Sequence, residues 1–332
     1  MGYSGKGTVL VMTLAEYEDR FSRLIVNVRN GRASPHKICM LLAILDLARG
    51  GGLPENRVFF APPLLERYAR FFDAVRSPGD HANPYFPFFH LAGKLRGGTP
   101  SFWHLQPLPG REGQLNALKA ARSAGDITCN VAYATLDYQL FELLKVPGAI
   151  DALGDAISRR WFDRGLEELR TVVARSSEIS RYELQLRAAG GVQVREPSPP
   201  AYVRDPAFRR VVTELYDYRC AATGVRILLM PSGEAMVEAA HLHPFHEAGD
   251  DDPRNGVALS PDMHWAMDKN LIAPGPDYKW HVSATLDARV PDYAGLLSLK
   301  GMPIFLPAEP RMYPKRDALK WRLNRLRSSG ES

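Results

Sequence analysis

Cysteine is scarce in this chain, with three residues among 332. Cys39, Cys129 and Cys220 lie far apart, so neither a disulfide framework nor paired Cys-x-x-Cys zinc ligands can be read from them. Because disulfides persist mainly in oxidising compartments, this scarcity favours a reducing environment, and we expect a cytoplasmic protein.

Long apolar runs are also missing. No segment reaches the roughly 20 apolar residues that a membrane-spanning helix needs, and the first residues lack the basic region and apolar core of a signal peptide. We therefore expect no membrane partner and no leader. A hydrophobic content of 45% still provides for buried cores, and 332 residues are enough for two domains.

Neither sign of charge is in large excess, since the net charge is +5 and the pI is near 9.1. This balance permits nucleic-acid binding without establishing it. Leu319, Leu323 and Leu326 recur at helical spacing near the end of the chain, which predicts a helix docked by its apolar face with its cations outward. Those cations would either contact the phosphates of a nucleic-acid backbone or form a solvent-exposed face of the helix. They are Arg311, Lys315, Arg316, Lys320, Arg322, Arg325 and Arg327.

Hydrophobic periodicity predicts a mainly helical first half. Expected helices cover residues 14–28, ending at Asn30-Gly31, and then 35–47, 63–75, 136–144, 149–162 and 166–189. The helix over 35–47 is apolar nearly all round, so it is expected to be buried. Another helix is expected to begin at Ser260-Pro261, because Ser caps well and proline is tolerated at the first helical position. Residues 83–108 are rich in Pro, Gly and aromatic side chains, which predicts irregular or short-stranded structure. Gly190-Gly191 and residues 196–200 indicate a linker. The expected domains are therefore 1–165 and 201–332, joined by a connecting helix and linker over 166–200.

The most informative pattern lies between residues 238 and 268. His241 ends the strand-like run Glu238-Ala-Ala-His, Asn255 follows, and His264 comes next with Asp268 four positions beyond it. Since residues four apart on a helix share a face, His264 and Asp268 can point at one cation. Imidazole and carboxylate ligands suit a hard or borderline divalent ion, here Mg²⁺ or Mn²⁺. This is the layout of a metal-dependent nuclease centre.

The same pattern suggests a role for each residue. Imidazole side chains are the usual general bases at physiological pH, so His241 can take a proton from water attacking phosphorus. Asn255 can pin the intervening loop or orient His241, since its amide both donates and accepts. His243 and His246 are expected to be loop or DNA-facing residues, and the acidic run 250–252 to be a solvated loop. Any one of these histidines taken alone could be an ordinary core or surface residue.

Residues 206–282 resemble the HNH, or ββα-metal, endonuclease family. The likeness rests on the Glu238-Ala-Ala-His241-Leu-His-Pro run, on Asn255 and on His264, together with the lead-in over residues 209–224. The resemblance implies that His241 is the general base, Asn255 the middle asparagine and His264 the metal-binding histidine. Many members carry a metal ligand directly before the base, where this chain has Ala240. Glu238, two residues before Ala240 on the same strand face, is expected to take its place, so the expected ligands are His264, Asp268 and Glu238.

Residues 14–162 resemble the sulphur-binding domain that precedes HNH modules. The likeness rests on Ser34-Pro35-His36-Lys37, Asn83-Pro84-Tyr85-Phe86-Pro87-Phe88-Phe89-His90 and Phe102-Trp103. Such fusions are type IV, modification-dependent restriction endonucleases that recognise phosphorothioate DNA. A phosphorothioate carries sulphur in place of one non-bridging phosphate oxygen. Because sulphur is larger and less strongly hydrated than oxygen, moving a phosphorothioate from water into an apolar pocket costs less free energy than moving a phosphate. The expected DNA-binding residues are Arg32, His36, Lys37, Pro84, Phe86, Pro87, Phe88 and His90. The aromatic residues among them could instead be ordinary core residues.

Together these patterns predict an α+β protein, with a mainly helical amino-terminal DNA reader followed by a ββα-metal nuclease. The predicted enzyme binds phosphorothioate-modified double-stranded DNA and hydrolyses phosphodiester bonds nearby with one divalent metal ion. Two alternatives stay open: an HNH nuclease that reads a modified cytosine, and a catalytically silent DNA-binding protein. Double-strand scission needs two cuts, and a homodimer is one arrangement that would supply them.

Overall fold

A computed structural model describes residues 12–146, 148–188 and 199–328, apart from the side chain of Arg29. The chain divides into two compact units, residues 1–176 and 177–332. Each unit has its own hydrophobic core. The division into domains 1–165 and 201–332 stays a prediction, and the linker predicted at 190–200 lies largely outside the described residues.

The first unit is mainly helical, with two short pairs of antiparallel strands. Its elements are α1 (Leu14–Ser22), β1 (Val28–Arg29), β2 (Arg32–Ala33), α2 (His36–Arg49), α3 (Pro62–Asp73), α4 (Tyr85–His90), β3 (Trp103–Pro107), α5 (Glu112–Ala117), α6 (Ala124–Thr128), β4 (Val131–Leu136), α7 (Tyr138–Leu143), α8 (Ala149–Trp161) and the start of α9 (Leu169–Ala188).

Helix α2 forms the centre of this unit. All of its residues from Ile38 to Leu47 are buried, which confirms the buried helix that its apolar circumference predicts. Helices α3, α4 and α8 pack against it.

The prediction that a first helix runs to Val28 and ends at Asn30-Gly31 is wrong. Helix α1 ends at Ser22, and Asn30-Gly31 is the turn between β1 and β2. Both turn residues have positive φ, 49° and 77°. An Asn-Gly pair suits the tight hairpin turn that requires this conformation at both positions, and the hairpin therefore replaces the end of the helix.

Within residues 83–108 the prediction of short-stranded structure is confirmed by β3, whereas helix α4 was not predicted. Helix α4 covers Tyr85–His90 and β3 pairs with β4. Proline is tolerated in the first turn of a helix, so Pro87 does not prevent α4 from forming. Phe88 is fully buried and packs edge-on against Trp103, whose indole N–H donates to the Phe88 carbonyl at 2.8 Å.

The second unit combines helices with short hairpins. After the end of α9 it contains α10 (Ala201–Leu215), β5 (Leu228–Leu229), β6 (Glu234–Ala235), β7 (Glu238–His241), α11 (Phe245–Ala248), β8 (Gly256–Leu259), α12 (Pro261–Asp268), β9 (Ile272–Pro274), β10 (Trp280–Val282), α13 (Ala294–Leu297) and α14 (Arg316–Leu323). Across the described residues of both units, no helix is long and apolar enough to cross a membrane.

Strands β7 and β8 and helix α12 form a ββα unit. The strands are antiparallel, with Glu238 opposite Leu259 and His241 opposite Gly256. Helix α12 follows β8 at once, with Pro261 at its first position as its sequence predicts. Ser260 occupies the N-cap, but its hydroxyl makes no cap hydrogen bond and instead lies 3.5 Å from the Cys220 sulphur.

Helix α10 packs closely across this hairpin at Gly256. A Cβ atom added there would lie 2.7 Å from the side chains of Phe208 and Val212. Those distances are too short for real carbon contacts, so the backbone of β8 can approach α10 only because residue 256 is glycine.

Candidate functional site

An open groove of about 620 Å³ lies over the ββα unit. Its walls combine histidines, carboxylates, cations and apolar side chains. They are Arg204, Asp205, Phe208, Arg209, Glu238, Ala239, His241, Pro244, Phe245, His246, His264, Asp268 and Arg322. His241 and His264, which are 23 positions apart in sequence, therefore line one groove.

His241 lies at the end of β7, with its ring held on one face by Phe208 from α10. The two rings are nearly parallel, with centroids 3.9 Å apart and an interplanar angle of 2°. The Nε2 atom lies 3.2 Å from Oδ1 of Asp251. The ring is thus fixed by stacking and by one polar contact, and its edge remains partly accessible to the groove.

Asp251 is a site residue that the sequence analysis missed. We expected the acidic run 250–252 to be solvated, but Asp251 and Asp252 are each 3% exposed. The second oxygen of Asp251 accepts a hydrogen bond from Tyr182 at 3.3 Å and lies 3.4 Å from the Arg204 guanidinium. Its position in an acidic loop gave no signal of burial, because the partners come from two helices distant in sequence.

Asp252 has a different set of partners. It accepts hydrogen bonds from Arg254 and lies 3.1 Å from the Lys315 ammonium. Burial alone would raise the pKa of Asp252, but the Arg254 hydrogen bonds and the Lys315 charge lower it below its ordinary value. Asp252 therefore ties the loop to the segment before α14.

Asn255 is fully buried and pins the loop that follows β7. Its side-chain oxygen accepts from the His243 backbone N–H at 2.9 Å. Its amide donates to the carbonyls of His243 and Asp250, both at 2.9 Å. Of the two roles suggested by sequence, the structure brings out the first, since Asn255 contacts the loop backbone and Asp251 contacts the His241 ring.

His264 contacts both of the other predicted metal ligands, Glu238 and Asp268, but the three side chains do not surround one common metal position. Its Nδ1 lies 2.9 Å from Oε2 of Glu238 on β7, and its Nε2 lies 3.5 Å from Oδ2 of Asp268, one turn along α12. The two carboxylates are therefore at different ring nitrogens. Within residues 12–146, 148–188 and 199–328, no three His, Cys, Asp or Glu side chains are grouped so as to hold a metal ion.

Two of these side chains, His264 and Asp268, are nevertheless suited to bind a divalent ion together. His264 Nε2 and the Asp268 carboxylate face each other in the groove and are the nitrogen and oxygen donors that such ions accept. A metal-bound histidine commonly donates its other ring N–H to a carboxylate, which is the relation that Glu238 has to Nδ1.

Part of the prediction for the basic tail is wrong. Helix α14 forms, and Leu319 is fully buried, but Arg322 is also buried rather than outward-facing. Its guanidinium donates to the backbone carbonyls of Leu242 and His241, at 2.7 and 3.0 Å. The end of β7 leaves these carbonyls available, and Arg322 satisfies them, so this cation stabilises the backbone that carries His241.

The neighbouring histidines have separate environments. His243 stacks on Trp321, with ring centroids 4.1 Å apart. His246 is 80% exposed at the wall of the groove. His243 lies in the turn before α11, as predicted for a loop residue, whereas His246 lies within α11, so the loop position is wrong for His246. A DNA-facing role for either histidine stays a prediction.

Two overlapping cavities in the first unit gather five of the eight predicted DNA-binding residues. A cavity of about 140 Å³ is lined by His36, Lys37, Phe86 and His90, and one of about 640 Å³ by Arg32, His36 and Phe86. Pro84, Pro87 and Phe88 are buried and line neither cavity. Phe88 therefore occupies a core position, the alternative left open for the aromatic residues, whereas Phe86 of α4 is 39% exposed.

Burial acts on three nitrogen-bearing side chains of the smaller cavity, His36, Lys37 and His90. Burial lowers the pKa of His36 and of Lys37 below their ordinary values. Burial, and then the charge of Lys37, lowers the pKa of His90. The buried Nε2 atom of His90 has no hydrogen-bond partner in the described part of the chain. The cavity thus combines an exposed aromatic ring with a lysine and two imidazoles whose charged forms are disfavoured by burial.

Comparison with known proteins identifies the second unit in part. Residues 220–273 match the HNH endonuclease family, so the chain carries an HNH endonuclease domain. A search of curated proteins found no match. The solved structure of the modification-dependent TagI restriction endonuclease is 21% identical over 42% of this chain and 42% of that chain, with a TM-score of 0.28. The chain thus covers under half of that protein's length.

Proposed function

We propose that this chain is a DNA endonuclease that reads phosphorothioate modification with its first unit and hydrolyses a nearby phosphodiester bond with its HNH domain. The observation that carries the proposal is that His241 and His264 line one groove over a ββα unit. A nuclease with such a groove benefits from a DNA-reading unit in the same chain, because contacts to phosphates carry no sequence information by themselves.

In the proposed reaction His241 accepts a proton from water as the water oxygen attacks phosphorus. The new phosphorus–oxygen bond forms as the bond to the 3′ oxygen breaks, and the leaving oxygen takes a proton from solvent. The products carry a 5′ phosphate and a 3′ hydroxyl. Arg209, exposed on the groove wall, is suitably charged to hold the DNA backbone.

His264 and Asp268 would hold a divalent ion, Mg²⁺ or Mn²⁺. When bound, such an ion stabilises the negative charge that develops on the phosphate and on the 3′ oxygen. Glu238, which the sequence analysis assigned as a third ligand, is proposed to orient His264 through Nδ1, because it lies at the nitrogen that does not face Asp268.

A panel of duplexes tests this function. We expect the full chain to cut phosphorothioate DNA in Mg²⁺ or Mn²⁺, to cut plain and methylated duplexes far more slowly, and to cut none of them in EDTA. Preferred cutting of the methylated duplex would instead favour a reader of modified cytosine. Binding without cutting in any metal would favour a silent DNA-binding protein.

The reader cavity has its own test in Phe86→Ala. If the exposed ring contacts sulphur, its removal should reduce the preference for phosphorothioate over plain duplex by about 5–30-fold, for a loss of about 1–2 kcal/mol of apolar contact. Equilibrium binding to both duplexes measures this preference.

Phe59→Ala is the matched control for this variant. Phe59 is a similarly exposed phenylalanine of the first unit that lines neither cavity. An equal loss of preference in the two variants would remove Phe86 from the proposed contact.

A further inference from the structure

We propose that Asp251 is a positioning residue that fixes which nitrogen of His241 carries the proton, and so determines which nitrogen acts as the base. The inference rests on the proposed function, and it concerns a residue outside the His241, Asn255 and His264 pattern. Its evidence is the contact between Oδ1 of Asp251 and Nε2 of His241 at 3.2 Å.

Asp251 is held in place independently of His241. Its other oxygen accepts from the Tyr182 hydroxyl of α9 and faces Arg204 of α10. Burial, and then the negative charge of Asp251, raises the pKa of Tyr182, so this hydroxyl stays a donor. Arg204 is itself fixed, with its guanidinium 3.5 Å from the centre of the Phe245 ring. The carboxylate therefore presents a fixed acceptor.

The other contacts of His241 leave the choice of nitrogen open. Phe208 stacks on the face of the ring, and a stacked ring can be turned over without loss of that contact. Arg322 binds the backbone carbonyl of residue 241 and does not touch the ring. Among the described contacts, the Asp251 carboxylate is thus the feature that distinguishes the two nitrogens.

The chemical consequence follows from the tautomer. A carboxylate only accepts, so Nε2 of neutral His241 must carry the proton and donate it to Asp251. Nδ1 then has the free electron pair that takes a proton from water. The carboxylate also stabilises the imidazolium that this transfer creates, while Arg204 partly offsets its charge.

Asp251→Asn tests the inference in the full chain. With its amide oxygen facing Arg204, asparagine would offer an N–H group to His241 and favour the opposite tautomer. We expect the cleavage rate constant to fall by about 10²–10⁴-fold, as for wrongly protonated catalytic histidines, with DNA affinity retained. In ¹⁵N spectra of histidine-labelled protein, His241 should change from the Nε2-protonated to the Nδ1-protonated form.

Asp252→Asn is the matched control. Asp252 is equally buried in the same loop but pairs with Arg254 and Lys315 instead of His241. It should keep the His241 tautomer even if it destabilises the protein. If Asp251→Asn unfolds, Tyr182→Phe replaces it, since this variant removes one hydrogen bond to Asp251 and should slow cleavage and weaken the Nε2-protonated signature.

Different results would overturn the proposed nuclease function and the proposed role of Asp251. Unchanged cleavage in His241→Ala would overturn the proposed function. Wild-type cleavage and an unchanged His241 tautomer in folded Asp251→Asn, with His241→Ala inactive, would overturn the role of Asp251 alone. A tautomer change that Asp252→Asn reproduces would also overturn it, because the effect would then belong to the loop.

Discussion

His241→Ala is expected to reduce DNA cleavage by about 10²–10⁴-fold, the usual contribution of a general base. DNA binding should be retained, since His241 is only partly exposed and the charged walls of the groove remain. Single-turnover cleavage of an end-labelled duplex, together with equilibrium binding of the same duplex, separates the two effects.

His281→Ala is the matched control, because His281 also contacts an aspartate. Its Nε2 lies 3.0 Å from Asp277, at a place outside the groove. Cleavage should be retained in this variant. Equal rates in His241→Ala and the wild type would show that His241 is not the base.

Asn255→Ala is expected to lower the free energy of unfolding by about 2–4 kcal/mol. The substitution leaves three partly buried backbone groups, the N–H and carbonyl of His243 and the carbonyl of Asp250, without their side-chain partner. The loop that carries Asp251 would lose its anchor, so cleavage should fall even where the variant is folded. Denaturant unfolding and cleavage at low temperature measure the two losses.

Asn324→Ala provides the comparison for this variant. Asn324 is an exposed asparagine of the same unit, just after α14, and its loss should change stability by less than about 0.5 kcal/mol. If Asn255→Ala unfolds at the same denaturant concentration as Asn324→Ala, the buried hydrogen bonds do not hold the loop.

The sequence was sufficient for the parts of the fold that depend on local pattern. The apolar circumference of α2 predicts its burial, and Pro261 predicts the start of α12. The four-residue spacing of His264 and Asp268 predicts that they share a helix face, and they do contact each other. In each case one segment carries the whole signal.

The features that the sequence did not predict depend on partners from elsewhere in the chain. The acidic sequence around Asp251 does not predict that its carboxylate contacts Tyr182 and Arg204. Likewise, the cationic sequence of α14 does not predict that Arg322 donates to the backbone carbonyls at the end of β7. At Asn30-Gly31 the local signal was present but ambiguous, because the same pair can end a helix or turn a hairpin.

The most direct test of the account is cleavage of phosphorothioate duplex by the full chain with Mg²⁺ or Mn²⁺ in H₂¹⁸O. Hydrolysis by attack of water on phosphorus with the 3′ oxygen leaving predicts one ¹⁸O atom in the 5′ phosphate at each cut, and His241→Ala should yield almost no product. Intact DNA across plain, methylated and phosphorothioate duplexes in both metals, or cut ends without ¹⁸O on the 5′ phosphate, would contradict it.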